Sequence, residues 1–554
     1  MNRHSFARQS LKLGVLLSLA ACQTQSIDNT NTSNSSGNTG FVDGGAQDAG
    51  PPDAAPPPTV AELAPEELPN PPALVTPDAA FRTNAPPAGP TTPFVAPRVE
   101  RMTLPNGMTV LLVRQPQLPI VYAQLVSRRG ADDVPTAQSG VAWMTAALLE
   151  QGTTTLSAEA LSDAYAAIAA QHGSNVDWDS AEVSVRVLPS NVPRAMELLA
   201  DQVQHPAFAP EEIERLRTRR LAAIRAEKDS PRSVAAIVGA RVLYGNDHPY
   251  SRPVNGVEGS VRSLTREQVV NYYRAHYVPN DCALVVTGAI TMGELRPLAV
   301  RLFGSWRQEA ATPAVARQAA VPAPPSQQAG VYLVDRARAP QSSVVLAMHG
   351  TTRADRNYPR LRVMNAILGG IFSSRINLNL REQHGYTYGA RSSFALRRGV
   401  GPFTAGGAII TAHTADAVRE ILSEIERMRS TNVSSAELTT AQTAIIEGFR
   451  AQFATTEATA DAVSEVFVHR LPADEFVRLP RDIQRVRIAD VRAIATSRIT
   501  PARLNVVVVG DRATVAPMLE GLSRGAVTLL DNEGAPANAA NAAAPTTVPT
   551  TATP

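Results

Sequence analysis

The sequence predicts an α+β fold: two similar domains in tandem, each a mainly antiparallel sheet packed with helices. Three observations carry this. Short apolar runs of strand type are interspersed with amphipathic helical stretches through the middle of the chain, in an order that does not demand parallel pairing. Landmarks recur at one spacing. Val121 and Ser343 open apolar runs (VYAQLV and SVVLAM), Gly288 and Gly510 close two others (ALVVTG and NVVVVG), and Pro279 and Pro501 precede the latter, each pair 222 residues apart. Finally, 554 residues are too many for one core and suit two or three folded units.

The N-terminus is a targeting segment. Arg3, Arg8 and Lys12 precede a short apolar stretch at 13–21 (LGVLLSLAA), too short to span a bilayer as a helix. It ends in Leu19-Ala20-Ala21-Cys22, which resembles a bacterial lipobox. That resemblance implies removal of residues 1–21 and lipidation of Cys22 as the first mature residue. Gln23 follows where Asp would favour inner-membrane retention, so the expected location is the cell envelope. The anchor would be in the outer membrane, facing the periplasm or the surface. An ordinary signal peptide with an incidental cysteine is the alternative.

Residues 22–97 are rich first in Asn, Ser, Thr and Gly, then in Pro and Ala, with no Trp or Tyr. Such a stretch buries too little apolar surface to offset its ordering entropy and is predicted to be a disordered tether. As a coil of about 75 residues it would reach roughly 50 Å. The first domain is then expected at 98–309, a linker (AATPAVARQAAVPAPPSQQ) at 310–328, the second domain at 329–525 and a disordered tail at 526–554.

Within the first domain, Asn106-Gly107 signals a hairpin between strands at 99–104 and 108–113. Helices are predicted at 141–150, 158–171, 192–204, 210–227 and 266–276, and in the second domain at 358–370, 414–430, 435–453 and 488–497.

Composition excludes several functions. A net charge of +2 with 18% charged residues is no footprint for nucleic acid. Two cysteines, Cys22 and Cys282, make no disulfide framework, and Cys282 at the head of an apolar strand reads as a buried free thiol. No P-loop, no G-x-G-x-x-G after a strand and no G-x-S-x-G is present.

Several segments, in order, resemble the insulinase (pitrilysin-type) zinc peptidases. They are LPNGMTVLLVRQPQLPIVYAQLVSRRGADDV from Leu104, then SGVAWMTAALLEQGT, HPAFAPEEIERLR and LYGNDHPYSRPVNG. LGGIFSSRINLNLREQHGYTYGARSSF in the second half is similar to that family's second-domain signature. The likeness spans about 95 to 525 and implies the family's clam-shell scaffold.

Active members carry H-x-x-E-H in the segment matching residues 139–153. Positions i, i+3 and i+4 share one helix face, so two imidazoles can bind Zn²⁺ while the carboxylate activates its water. Here those positions are Trp143, Ala146 and Ala147, which offer no lone pair to a metal. The family's further glutamate ligand falls at about Ala223, and nearby Glu227 is expected to face solvent. His248, in DHPY, matches a family turn and is expected to be structural. The reading is a chain that binds no cofactor itself, with zinc only in a partner.

The second half keeps what two-chain members use in the subunit without zinc. The resemblance places a substrate-binding Arg and Tyr at Arg381 (in Leu380-Arg381-Glu382) and Tyr388. A guanidinium and a phenol are strong donors, suited to holding a peptide backbone and a carbonyl oxygen as it gains charge. The plainer alternative pairs Arg381 with Glu382 and packs Tyr388 in a core. Gly369-Gly370, ahead of Ser373, Ser374 and Arg375, is expected to let a substrate strand come close.

The function expected is therefore a non-catalytic subunit of an envelope-anchored zinc peptidase. It would form a heterodimer with a homologous zinc-bearing chain and act on unfolded peptides. The rival expectation is a binding or scaffold lipoprotein on a peptidase-derived fold.

Overall fold

The turn at Asn106-Gly107, with Gly107 at φ +87°, reverses β1 (Val99–Thr103) into β2 (Thr109–Arg114). With β3 (Val121–Ser127), β4 (Gln171–Val176), β5 (Ala181–Val187) and β6 (Cys282–Gly288) they form one sheet, in the order β1-β2-β6-β3-β5-β4. Only β2 and β6 pair in parallel.

The second sheet uses β7 (Val331–Asp335), β8 (Gln341–His349), β9 (Ala390–Phe394), β10 (Pro402–Ile410), β11 (Asn505–Gly510) and β12 (Val527–Leu530). Its order is β12-β7-β11-β8-β10-β9, with β7 parallel to both β11 and β12. Both sheets are mixed with an antiparallel majority. The runs that repeat at 222 residues are β3 with β8 and β6 with β11, which hold equivalent places. β6 and β11 are buried along their whole length, which is why they read as unbroken apolar runs.

The computed structural model describes residues 94–307, 321–325 and 329–537. The lipobox with Cys22, the tether up to residue 93, most of the linker and the tail beyond 537 lie outside the described residues.

Helices α1 (Val141–Leu149), α2 (Ala158–Ala166), α3 (Val192–Gln204) and α4 (Pro210–Asp229) are followed by α5 (Pro231–Tyr244), α6 (Glu258–Ser263), α7 (Arg266–His276) and α8 (Met292–Phe303). The second domain contributes α9 (Tyr358–Asn365), α10 (Arg375–Asn377), α11 (Thr414–Ser430) and α12 (Ser435–Ala451). α13 (Thr456–Val468), α14 (Glu475–Gln484), α15 (Ile488–Arg498) and α16 (Arg512–Glu520) complete it.

Several boundaries differ from the sequence expectation, and two of the shifts have a clear cause. The helix predicted to reach residue 171 stops at Ala166, because Ala169 takes φ +51° and the chain turns into β4. The second domain extends past residue 525, since β12 adds a parallel strand beside β7.

The domains exchange helices. α5 sets Val234, Ala235 and Val238 against Val507 and Val509 of the second sheet. α13 lies across β3 and β6 of the first. There Thr287 Oγ1 donates to the Thr456 carbonyl (2.7 Å) and Gln115 Nε2 to Thr459 Oγ1 (3.0 Å).

A second tie is the loop between β9 and β10. Arg398 forms an ion pair with Asp132 and donates through Nη2 to the carbonyls of Arg128 (2.6 Å) and Asp179 (2.7 Å). Its backbone N–H donates to Asp179 Oδ2 (2.9 Å). The Arg397 guanidinium lies 4.6 Å from the Tyr250 ring centroid and 4.9 Å from that of Trp178, within cation–π range. Burial pushes the Asp132 and Asp179 carboxyls up to about 6, against the pull of Arg398.

Candidate functional site

The first candidate region lies on α1. Gly140, at φ +95°, starts the helix, and seven of its nine residues are buried. Trp143 and Ala147 are half-buried on one side and Ala146 is buried. Facing them is α4, with Ala223 half-buried.

Arg220 occupies the space between these helices. It is 2% exposed and its guanidinium lies 5.9 Å from the Trp143 ring centroid. It donates twice to Glu227, Nη1 to Oε1 at 2.6 Å and Nη2 to Oε2 at 2.9 Å, and through Nε to the Asn255 carbonyl at 2.9 Å. Glu227 is therefore not the solvent-facing residue its position suggested. It sits two helical turns from Arg220, on the same side, and both its oxygens are engaged.

An indole, two methyl groups and a guanidinium cannot ligate a cation, and the nearby carboxylate is committed to Arg220. These residues do not fit the zinc ion of the active peptidases. Among the described residues no three His, Cys, Asp or Glu side chains gather as a metal-binding group.

At the end of α1, burial raises the Glu150 carboxyl above the usual carboxylate range, and Ser174 of edge strand β4 contacts it and the Ala146 carbonyl. His248 uses both ring nitrogens, Nδ1 accepting from the Tyr250 N–H (3.1 Å) and Nε2 lying 3.0 Å from the Pro322 carbonyl. Cys282 is a buried free thiol whose pKa burial pushes up to about 12.

The second region is built on two π-helical turns, a rare conformation found often at functional sites. One, Ala366–Gly370, continues α9, and the other, Leu378–Gln383, continues α10. Arg381 stands on the second turn, 38% exposed, with its Nε 3.3 Å from Glu382 Oε1 and its guanidinium 4.7 Å from the Phe372 ring centroid. Tyr388, just before β9, is 89% exposed, so it packs in no core. Phe372 is itself 61% exposed.

Sequence reasoning missed two features here. Phe372 forms the shelf under Arg381. A stack of three rings runs His384, Tyr386, His413, with centroids 4.9 and 4.4 Å apart. The signal for it was the alternation of rings in His384-Gly-Tyr386-Thr-Tyr388. Gly369 has a packing role that the sequence did not show. A Cβ there would lie 2.4 Å from the Ser392 N, so the glycine lets β9 pack against the π turn.

Comparison with known proteins matches both domains. Residues 109–240 match the profile of the insulinase family, peptidase family M16, and residues 263–445 that of the peptidase M16 inactive domain. An uncharacterized zinc protease of Rickettsia felis is 26% identical over 344 residues, 61% of this chain and 80% of its own length. One of Mycobacterium tuberculosis is 27% identical over 348 residues, 63% of this chain and 78% of its own.

Among solved structures, a peptidase M16 inactive domain from Pseudomonas fluorescens superposes with a TM-score of 0.69 at 22% identity. It covers 74% of this chain and 98% of its own. A protease from Helicobacter pylori gives 0.67 at 18%, over 75% and 100% of the two chains. These likenesses are of fold. With both domain profiles matched in order across more than half its length, the chain belongs to the insulinase family of peptidases, M16.

Proposed function

We propose that this chain is the non-catalytic subunit of an envelope-anchored insulinase-type zinc peptidase. It supplies Arg381 and Tyr388 to substrate held against a homologous, zinc-bearing partner. The observation that carries the reading is an asymmetry: the motif helix faces an internal Arg220–Glu227 pair, while Arg381 and Tyr388 stand toward solvent.

A structural Arg and Tyr would be expected to bury their apolar parts and satisfy their donors within the chain. Tyr388 does neither, and Arg381 keeps part of its donor fork open to solvent. Both donors suit a peptide carbonyl, the guanidinium holding it and the phenol stabilising charge that develops on the oxygen. The partner's zinc would supply the activated water. Substrates are unfolded peptides, and Cys22 tethers the assembly to the envelope.

The test is replacement of Arg381 by Ala and of Tyr388 by Phe in the native complex. Turnover of an unstructured peptide should fall about 10- to 100-fold in each while the complex stays assembled, since one lost transition-state donor costs about that much or more. Full turnover in both would transfer the chain to the scaffold role.

A further inference from the structure

We propose that Asn377 is the positioning residue that sets Arg381 and Tyr388 as one unit, an inference that rests on the substrate-binding reading of that pair. Arg381 and Tyr388 belong to different segments, a π-helical turn and the lead-in to β9, and neither is fixed by burial of its own side chain.

Asn377 is 4% exposed at the end of α10. Its Nδ2 donates to the Phe372 carbonyl at 2.7 Å, and its Oδ1 accepts from the Ala390 N–H at 3.2 Å. Phe372 is the ring on which Arg381 rests. Ala390 opens β9, two residues after Tyr388. One planar amide thus joins the shelf beneath the guanidinium to the strand that launches the phenol. Its two partners, a carbonyl and an N–H, fix which end of the amide is which.

α10 itself is held by others. Arg375 makes two bonds to Glu437, Nε to Oε1 at 2.6 Å and Nη2 to Oε2 at 3.2 Å, and Asn379 Nδ2 lies 2.9 Å from Glu420 Oε2 and 3.0 Å from Glu424 Oε1. Removing the Asn377 amide therefore leaves the helix anchored and loosens the two segments at Phe372 and Ala390, while the Tyr386 N–H to the Leu380 carbonyl (2.8 Å) and Thr387 Oγ1 to the Ala408 carbonyl (2.6 Å) keep them folded. Only an amide does both jobs in this shape. Aspartate keeps the acceptor for Ala390 and sets a carboxylate against the Phe372 carbonyl, and leucine keeps the shape alone.

The test uses the full chain and a fluorescein-labelled unstructured casein fragment, with binding read by anisotropy. Asn377→Leu should weaken binding about tenfold. In its background Arg381→Ala should add little, because the contacts are coupled. Asn377→Asp should fall between, with the loss concentrated in the part of the affinity that Arg381→Ala removes. A ligand-free measurement accompanies these: trypsin should cleave after Arg381 several-fold faster in folded Asn377→Leu than in the native chain.

Native-like binding by Asn377→Leu, beside weakened binding by Arg381→Ala and Tyr388→Phe, overturns the inference and leaves the reading of the pair standing. So do additive losses in the double variant or an unchanged cleavage rate. Native-like binding by Arg381→Ala and Tyr388→Phe overturns the reading of the pair, and the positioning role with it.

Discussion

Arg220 binds together α4, α1 and the loop that carries Asn255. It reaches Glu227 along its own helix, Trp143 on α1 and the carbonyl of Asn255, from a position 2% exposed. A guanidinium so deeply placed depends on its carboxylate. Removing one partner of a buried ion pair costs about 3–5 kcal/mol, because the other charge stays behind. The Glu227 side chain is 23% exposed, so solvent relieves part of this. Glu227→Ala should destabilise the first domain by about 2–3 kcal/mol in urea unfolding, and replacing Arg220 and Glu227 together by Met should cost less. A cost below about 0.5 kcal/mol for the single change would mean that the pair is ornamental, as many exposed pairs are. The departure from the family's zinc motif was legible in three letters, Trp143, Ala146 and Ala147. The replacement for that motif was legible only in part. The spacing of Arg220 and Glu227 on one helix put them on one side, but nothing in the sequence said that this side was the inner one.

At the scale of elements, the β9–β10 loop is where charge chemistry governs how the domains join. Asp132 and Asp179 share Arg398, and burial raises both carboxyls to about 6. Their ordinary value is about 3.9, so the docked loop holds more protons than the free one between about pH 4 and 6. Their contribution to stability is therefore greatest at the acidic end of that window and is lost as pH rises through about 6. His469, 3.9 Å from Asp179, is lowered to about 4 by burial and stays neutral over most of this range. Nearby, Asp133 is held low once its hydrogen bond to His276 offsets burial. The stability of the native chain relative to Asp132→Asn/Asp179→Asn should accordingly be greater at pH 5 than at pH 7.5, read from thermal unfolding at both. A gap that widens with pH would contradict this. The central strands β6 and β11 could be read from sequence because burial on both faces leaves an unbroken apolar run. β4 (QHGSNV), an edge strand with mostly polar positions, and the four-residue β12 gave no such pattern. The first π turn is likewise a tertiary outcome, visible only once Asn365, just before it, is seen bonded to Ser392 of β9.

In the whole molecule, the tandem repeat was legible because three landmarks kept one spacing. The exchange of α5 and α13 between sheets was not, since an apolar helix face does not name the sheet it will cover. What the two domains have become is equally divided. The first has closed its motif helix around an ion pair, and the second presents Arg381 on a π-helical turn and Tyr388 on the lead-in to β9, with buried polar side chains behind them. The claim that this division of labour serves a partner's zinc is tested most directly by purifying the native chain with its partners from solubilised membranes. Bound zinc and cleavage of an unstructured peptide would be measured beside the chain alone. The account predicts zinc and cleavage in the native assembly only, together with a second chain of similar size. Neither zinc nor cleavage in the assembly, or both in the isolated chain, would contradict it.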